Sequence, residues 1–525
     1  MRKNHQSGMI LPSVLSAILA FIIISGAVFT LIQSNLQIVS RNIKSQQAFN
    51  ISEAGINYYL WHLSHAPTDY KDGQTTPATP DPNLGYGPYV HSYTDDNSKT
   101  VGTYTLWIKP DNAGSTMSTV RSIGKVNGTN ITRTIEAKIG ASSFANFALA
   151  SDQPFWVGQY ESVDGPVHSN VGIRMDGASN SIVSSSNATY VPPTNLGGDG
   201  SSHPGVWCHS SITAPINCNT RPKTDWIFPT PLVDFNVVTD TLCTIKKVSF
   251  AADSSTANLA TQPSPCSQTP KTQTPFYLPQ RSNSGAFSVD RGYLIELNSN
   301  GTYNMYAVDQ EKDTEANYNS ALRTTLLYSN LAPPSNGILF VEDNVWVRTN
   351  SVYSGRITIA AGRLATNTMA NIKIIDNIKY STKNGADAIG LIAEDSVELT
   401  PYALPQTGDF NFEVDASIIA KEGNVGYPDK YHSNSSKCTM GWVGDNQKFL
   451  FYGSIASRTT WTWTWDWGNR SCPQAVRDSS SGSYISGVKN NTTKYDYNLL
   501  YGPPPYFPLV GGHSILSWRE VLTKP

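Results

Sequence analysis

Residues 1–32 read MRKNHQSGMILPSVLSAILAFIIISGAVFTLI, and this stretch decides how the rest of the chain is read. A short polar segment with two cations, Arg2 and Lys3, runs straight into an apolar one, and no charge occurs from Met9 to Ser40. About 20 apolar residues let a helix cross a bilayer core, so this stretch is long enough. A secretory signal carries its small-residue cleavage site after the apolar region. Here the small residue at the polar-to-apolar step, Gly8, precedes it. Cutting between Gly8 and Met9 would leave the helix on the mature protein. Arg2 and Lys3 on the short side predict a cytoplasmic N-terminus. The expectation is a single-pass cytoplasmic membrane protein with its C-terminus outside.

The Gly8–Met9 step, with Pro12 and the apolar helix behind it, resembles the class III signal of type IV prepilins. The resemblance implies cleavage by a prepilin peptidase and a mature chain starting at Met9. Proline at the fourth mature position, here Pro12, is common in pilins. Ser13 departs from the pattern, because major pilins carry a glutamate there that pairs with a neighbouring subunit. Its loss is best known in tip pseudopilins and other minor pilins, which implies a low-copy or tip role. The run Ser52-Glu53-Ala54-Gly55 is similar to an AEAG-like segment in the helix of PilX-type minor pilins. The partners implied are other pilins in a filament, the prepilin peptidase and the cytoplasmic membrane, with the cell surface or pilus as the destination after assembly. A plain signal anchor or an uncleaved Sec signal is the alternative on this segment.

Charged residues make up 15% of the chain and the formal net charge is −2. No basic surface invites nucleic acid, so none is expected as a partner. Six cysteines, Cys208, Cys218, Cys243, Cys266, Cys438 and Cys472, form an even count that suits disulfides in an exported protein. Sequence-local pairing (208–218, 243–266, 438–472) is the simplest of the 15 connectivities. No cysteine or histidine spacing fits a zinc site, so neither metal nor cofactor is expected.

The expected fold is α+β followed by all-β. Residues 1–8 form a leader and 9–65 a transmembrane helix extended into water, its apolar residues recurring at roughly helical spacing from Leu36 to Tyr58. Residues 66–143 form a small antiparallel head, with loop over 68–99 and strand-like runs at 102–108, 119–126 and 130–139. Residues 144–189 and 291–525 read as a large β-solenoid-like domain, because short apolar runs such as GILFVEDNVWV, GRITIAA and AIGLIAEDSVEL suit stacked rungs. Their irregular spacing leaves a β-sandwich open. Residues 190–290 read as a loop-rich, disulfide-stapled insertion. Several of these runs, with GPVHSN (165–170) and the tail 495–520, are similar in order to a domain of unknown function that follows pilin-like N-termini in bacterial envelope proteins. That resemblance implies no activity.

Candidate chemistry is sparse, and no enzyme is expected. His168 lacks a nucleophile motif, so it reads as a structural hydrogen-bonding residue. The acids Glu394, Asp395, Glu398, Asp409, Glu413 and Asp415 mostly alternate with apolar residues, as on the solvated side of a strand. They would need a paired arrangement in a cleft to act on a polysaccharide, which is the enzymatic alternative. Asp95-Asp96-Asn97 and Asp111-Asn112 match no calcium motif and read as turns. The run Trp461, Trp463, Trp465 and Trp467 has period two, so its indoles would line one strand face. It is the candidate binding surface for a glycan or cell-surface ligand, set against packing into the core. Pro503-Pro504-Pro505 reads as an extended strap.

Overall fold

The computed structural model describes residues 10–66, 69–74, 79–111, 116–159, 161–251, 273–281, 291–311, 322–366, 368–400, 403, 410–427, 441–466, 476–479, 482–500 and 502–521. The chain divides into two compact units. The first takes residues 1–109, 118–140 and 513–525; the second takes 110–117 and 141–512.

In the first unit, helix α1 runs unbroken over Ile10–His65, 56 residues, about 84 Å at 1.5 Å per residue. Pro12 and Ser13 lie in its first turn, where a missing backbone donor is tolerated. From Leu11 to Ile43 the side chains are exposed, and this half is long and apolar enough to cross a membrane. From Ala48 onward the helix changes character. Ala48, Ile51, Ile56, Tyr59 and Leu63 are buried against an antiparallel sheet. Gly55 lets the helix approach closely, since a Cβ there would collide with Ser122 Oγ and the Tyr104 ring. Ser52 Oγ donates to Ser122 O at 2.7 Å and accepts from Ile135 N at 3.1 Å, tying helix to sheet.

That sheet holds β1 (Tyr86–Thr94), β2 (Thr100–Pro110), β3 (Met117–Val126) and β4 (Thr132–Ser143) in sequence order, followed by the C-terminal strand Leu509–Glu520. β1 lies inside 68–99, where loop is expected; Gly85, Gly87 and Pro88 interrupt its alternation. The sequence reading also ran the large β domain to residue 525, whereas residues 513–525 belong with the first unit. Charge fixes that strand. Arg133 Nη2 donates to Glu520 Oε2 at 2.6 Å, and Arg519 Nη2 to Glu136 Oε1 at 2.6 Å. Arg133 Nη1 also reaches Ser45 Oγ at 2.8 Å on α1.

The second unit is dominated by parallel strands. One sheet runs Trp226–Ile227, Val183–Ser185, Val167–Ser169, Leu149–Ser151, Lys448–Ser457, Asn411–Ala420, Ala388–Ala393, Arg356–Ala361, Ile338–Val341, Tyr277–Leu278, parallel at every step. A second sheet stacks Gly292–Asn298, Asn344–Asn350, Ile372–Ile374, Val397–Leu399, Val425–Gly426 and Trp461–Thr462 in parallel. Between 338 and 462 the chain visits the two sheets alternately. Aligned positions Val341, Ala361, Ala393, Ala420 and Ser457 are separated by 20, 32, 27 and 37 residues. The strands are buried on both faces, as expected of parallel sheets.

Residues 190–290, expected to be loop-rich, also carry helix α2 (Val237–Ala251). It buries Val238, Leu242 and Ile245 in the core of the unit and packs on Ile338–Val341. Lys246 forms an ion pair with Glu342 there, both fully buried. Pro503–Pro505 is buried as a strap: Arg356 Nη2 donates to Pro503 O and Thr358 Oγ1 to Pro505 O, each at 2.6 Å.

Candidate functional site

The tryptophan run does not form one strand. Trp461–Thr462 pairs in parallel with Val425–Gly426, whereas Thr464–Asp466 pairs antiparallel with Tyr484–Val488. The chain breaks at Trp463, where the Thr462 hydroxyl accepts from Thr464 N at 3.2 Å and donates to Thr464 O at 2.7 Å. Trp463 is buried, with its ring centroid 4.8 Å from Phe449 and 5.7 Å from Phe451. Trp461 and Trp465 are half-buried against the same core, and Trp465 Nε1 donates to Tyr427 O at 3.2 Å. The expected continuous indole face is therefore corrected: period two holds only while one strand continues. Trp467 lies outside the described residues, as do Gly8, Met9, Cys266, Cys438, Cys472, Asp409 and Asn112.

His168 is 2% exposed. Nδ1 faces Ser184 Oγ and Nε2 faces Asn170 Oδ1, each at 3.0 Å. Asn170 Nδ2 continues to Asp152 Oδ1 at 2.6 Å and Val233 O at 2.8 Å. Burial holds the imidazole below its ordinary pKa, against the Asn170 hydrogen bond. Ser184 Oγ also donates to Val167 O at 3.1 Å. The arrangement is a buried polar ladder on adjacent strands, with its hydroxyl already engaged.

The acids are not a solvated row. Glu394, Glu398 and Asp415 are buried. Parallel stacking covers both strand faces, so alternation with apolar residues does not imply exposure here. Asp415 accepts from Tyr380 N and from Lys383 Nζ, both at 2.9 Å, and Lys383 also bridges to Glu413 at 2.5 Å. Burial pushes the Asp415 carboxyl up to about 6 in spite of Lys383. Burial likewise raises Glu394, whose Oε2 accepts from Arg363 N at 2.6 Å. Asp95 Oδ1 caps a turn by accepting from Asn97 N and Lys99 N at 3.0 and 2.9 Å. Among the described residues, the one grouping with metal-like spacing is Asp176, Cys208 and Cys218. Its two cysteines are joined as a disulfide, so it offers no thiolates. Cys243 is disulfide-bonded as well.

A further aromatic and charged cluster, not singled out by sequence, is buried except at one end: Arg174, Trp207, Tyr190 and Asp176 are enclosed and Trp156 reaches the surface. Phe155–Val157, Ile173–Met175 and Val206–Trp207 form a small parallel sheet that places Trp156, Arg174 and Trp207 side by side. The Arg174 guanidinium lies 4.5 Å from the Trp156 ring centroid and 5.4 Å from that of Trp207. The His203 ring stacks on Trp207 at 3.7 Å. Every polar end is held. Asp176 Oδ2 accepts from Trp156 Nε1 at 2.9 Å and from Arg174 Nε at 2.7 Å. Trp207 Nε1 donates to Tyr190 Oη at 2.9 Å. Arg174 Nη1 donates to Gly197 O at 2.8 Å, at a left-handed glycine where a side chain would strike the guanidinium. The Cys208–Cys218 disulfide follows Trp207 directly. Trp156 stands at the edge of the stack, 39% exposed, with its ring fixed by Asp176. A clamped indole of this kind is pre-organised to stack on an apolar ring face. Its members lie 18 and 33 residues apart, and each strand contributes one, so no local periodicity reveals them.

No family model matches the chain and no curated protein matches it in sequence, so the resemblances drawn from the sequence rest on their own residues. Among solved structures, the competence-associated pilin ComZ from Thermus thermophilus aligns with 13% identity, over 91% of this chain and 98% of that one, at a TM-score of 0.25. The two differ too far in three dimensions for the likeness to carry an argument.

Proposed function

We propose that the chain is a large minor pilin of a type IV pilus or related filament, cut after Gly8, membrane-anchored before assembly and carried at or near the filament tip. One observation carries the reading. α1 is a single helix whose first half is uncharged and exposed and whose second half packs on a small antiparallel sheet. The exposed half of such a stem needs an apolar partner, first lipid and then the helices of other subunits. The second unit reads as a β-solenoid, because the chain alternates between two parallel sheets in register. Its bulk favours a tip position, with the Trp156 face as an adhesive surface for a glycan or other cell-surface ligand. The role is structural rather than enzymatic: His168 and the buried acids are engaged in internal hydrogen bonds and ion pairs.

The test is the mature N-terminus, read by mass spectrometry in native cells and in cells lacking the prepilin peptidase. A chain beginning at Met9 only when the peptidase is present supports the proposal. A chain beginning at Met1 in both, or cut after the apolar helix, removes it. For adhesion, Trp156→Ala should abolish glycan-array or cell binding in protein that circular dichroism shows still folded, at a melting temperature lowered by loss of the Asp176 hydrogen bond and the Arg174 stack. Binding that survives it assigns adhesion elsewhere.

A further inference from the structure

We propose that the first unit holds an anionic phospholipid headgroup in a groove beside α1, built around Arg41 and Lys44; this rests on the membrane-anchored reading above. The groove encloses about 360 Å³ and is lined by Leu36, Ser40, Arg41 and Lys44 of α1 together with Thr129 and Ile131 from the turn between β3 and β4.

Position along the helix is the first argument. Ile10 to Ser40 is an uncharged helical run of 31 residues, about 46 Å at 1.5 Å per residue. A bilayer with its headgroups is about 40–45 Å thick. When the apolar end of α1 spans the membrane, Arg41 is the first charge to emerge, at headgroup level.

Composition is the second argument. Arg41 and Lys44 are three residues apart and so share one helix face. Neither has an acidic partner among the described residues, in a unit whose Arg121, Arg133 and Arg519 are all paired. The same groove carries Leu36 on the membrane side and Ile131 from the β3–β4 turn. Along α1, apolar Leu36, the Ser40 hydroxyl and then two unpaired cations match a phospholipid, whose acyl chains, phosphate and headgroup succeed one another, and Thr129 and Ile131 line the same groove. A soluble anion would use the cations and leave the apolar wall idle.

The experiment uses the full chain in vesicles of equal phosphatidylcholine and phosphatidylglycerol, followed by native mass spectrometry of the released protein. The wild type should retain phosphatidylglycerol in preference to phosphatidylcholine. Arg41→Gln with Lys44→Gln should cut that retention about tenfold or more, and Lys125→Gln, an exposed charge outside the groove, should leave it unchanged. Gln37 of α1 lines the groove as well, and Gln37→Lys, which adds a cation there, should raise it. Equal retention of the two lipids, an unaffected double variant, or displacement by millimolar inorganic phosphate would each overturn the lipid site. An alkaline wash separates the two claims. Wild type that stays in the membrane without lipid preference sinks this inference alone. Wild type that washes off sinks the anchored reading and this one with it.

Discussion

The two units obey different rules of assembly. In the first, β1 to β4 pair with their neighbours in sequence, and one face of the sheet is buried under a helix. Residues alternate in and out along β2, so the pattern is visible in the chain itself. In the second, the parallel strands pair with partners 16 to more than 300 residues away, and those of the main sheet are covered on both faces. The first unit gains stability from a modest core and a few charged ties. The second gains it from stacked apolar strands, and the charges it encloses depend on buried partners such as Lys246 for Glu342.

The sharpest way to break this contrast is the buried pair in the second unit. Lys246→Met leaves Glu342 charged and enclosed without its cation, which should cost about 3–5 kcal/mol. Calorimetry should show the second unit's transition falling while the first stays in place; a common shift would mean the units do not melt separately. The first unit offers the converse test. Gly55→Ala puts a methyl into Ser122 and Tyr104, and overpacking of this sort costs about 1–3 kcal/mol, expected in the first unit's transition only.

Acid should act on the two in opposite directions. Asp415 has its pKa raised to about 6 by burial, so its contribution is fully present below the ordinary carboxylate value and fades as pH rises through about 6. Protection from hydrogen exchange over 411–420, with the intrinsic pH dependence of exchange divided out, should rise between pH 7 and pH 5, and Asp415→Asn should remove that rise. In the first unit, burial pushes Glu136 up, but Arg121 and Arg519 outweigh it and hold its carboxyl below its usual value; Arg133 does the same for Glu520. Their contribution is present above the ordinary carboxylate pKa and is lost as pH falls below about 4, so exchange of the C-terminal strand should quicken there. The smallest effect belongs to Arg519→Gln. That side chain is 75% exposed, and an exposed pair contributes about 0–1 kcal/mol, visible as a slight loosening of 513–520 alone.

Legibility followed the same divide. The long helix, β2, β3 and β4 could be read because their periodicities repeat within a few residues. β1 escaped because glycine and proline interrupt its alternation, and the C-terminal strand because its pairing depends on Arg133 and Glu136, nearly 400 residues away. The parallel stacking was suggested by the apolar runs, but the unequal intervals between aligned positions hid any repeat. At the candidate site the sequence drew attention to tryptophans adjacent in the chain, Trp461 to Trp467. The structure instead assembles Trp156, Arg174 and Trp207 from three separate strands, a grouping that only strand register creates.

The pairing of Leu149–Ser151 with Lys448–Ser457 also sets a timetable. Leu149 emerges from the ribosome 306 residues before its partner Ile455. At roughly 5–20 residues per second this is a wait of about 15–60 s. Throughout it, one hydrogen-bonding edge of that strand has no native partner, an open template for wrong pairing. The early part of the second unit is thus finished by its late part, and a nascent chain halted before residue 448 would be unable to close it. A chaperone that covers this edge until the tail arrives would shorten the exposure.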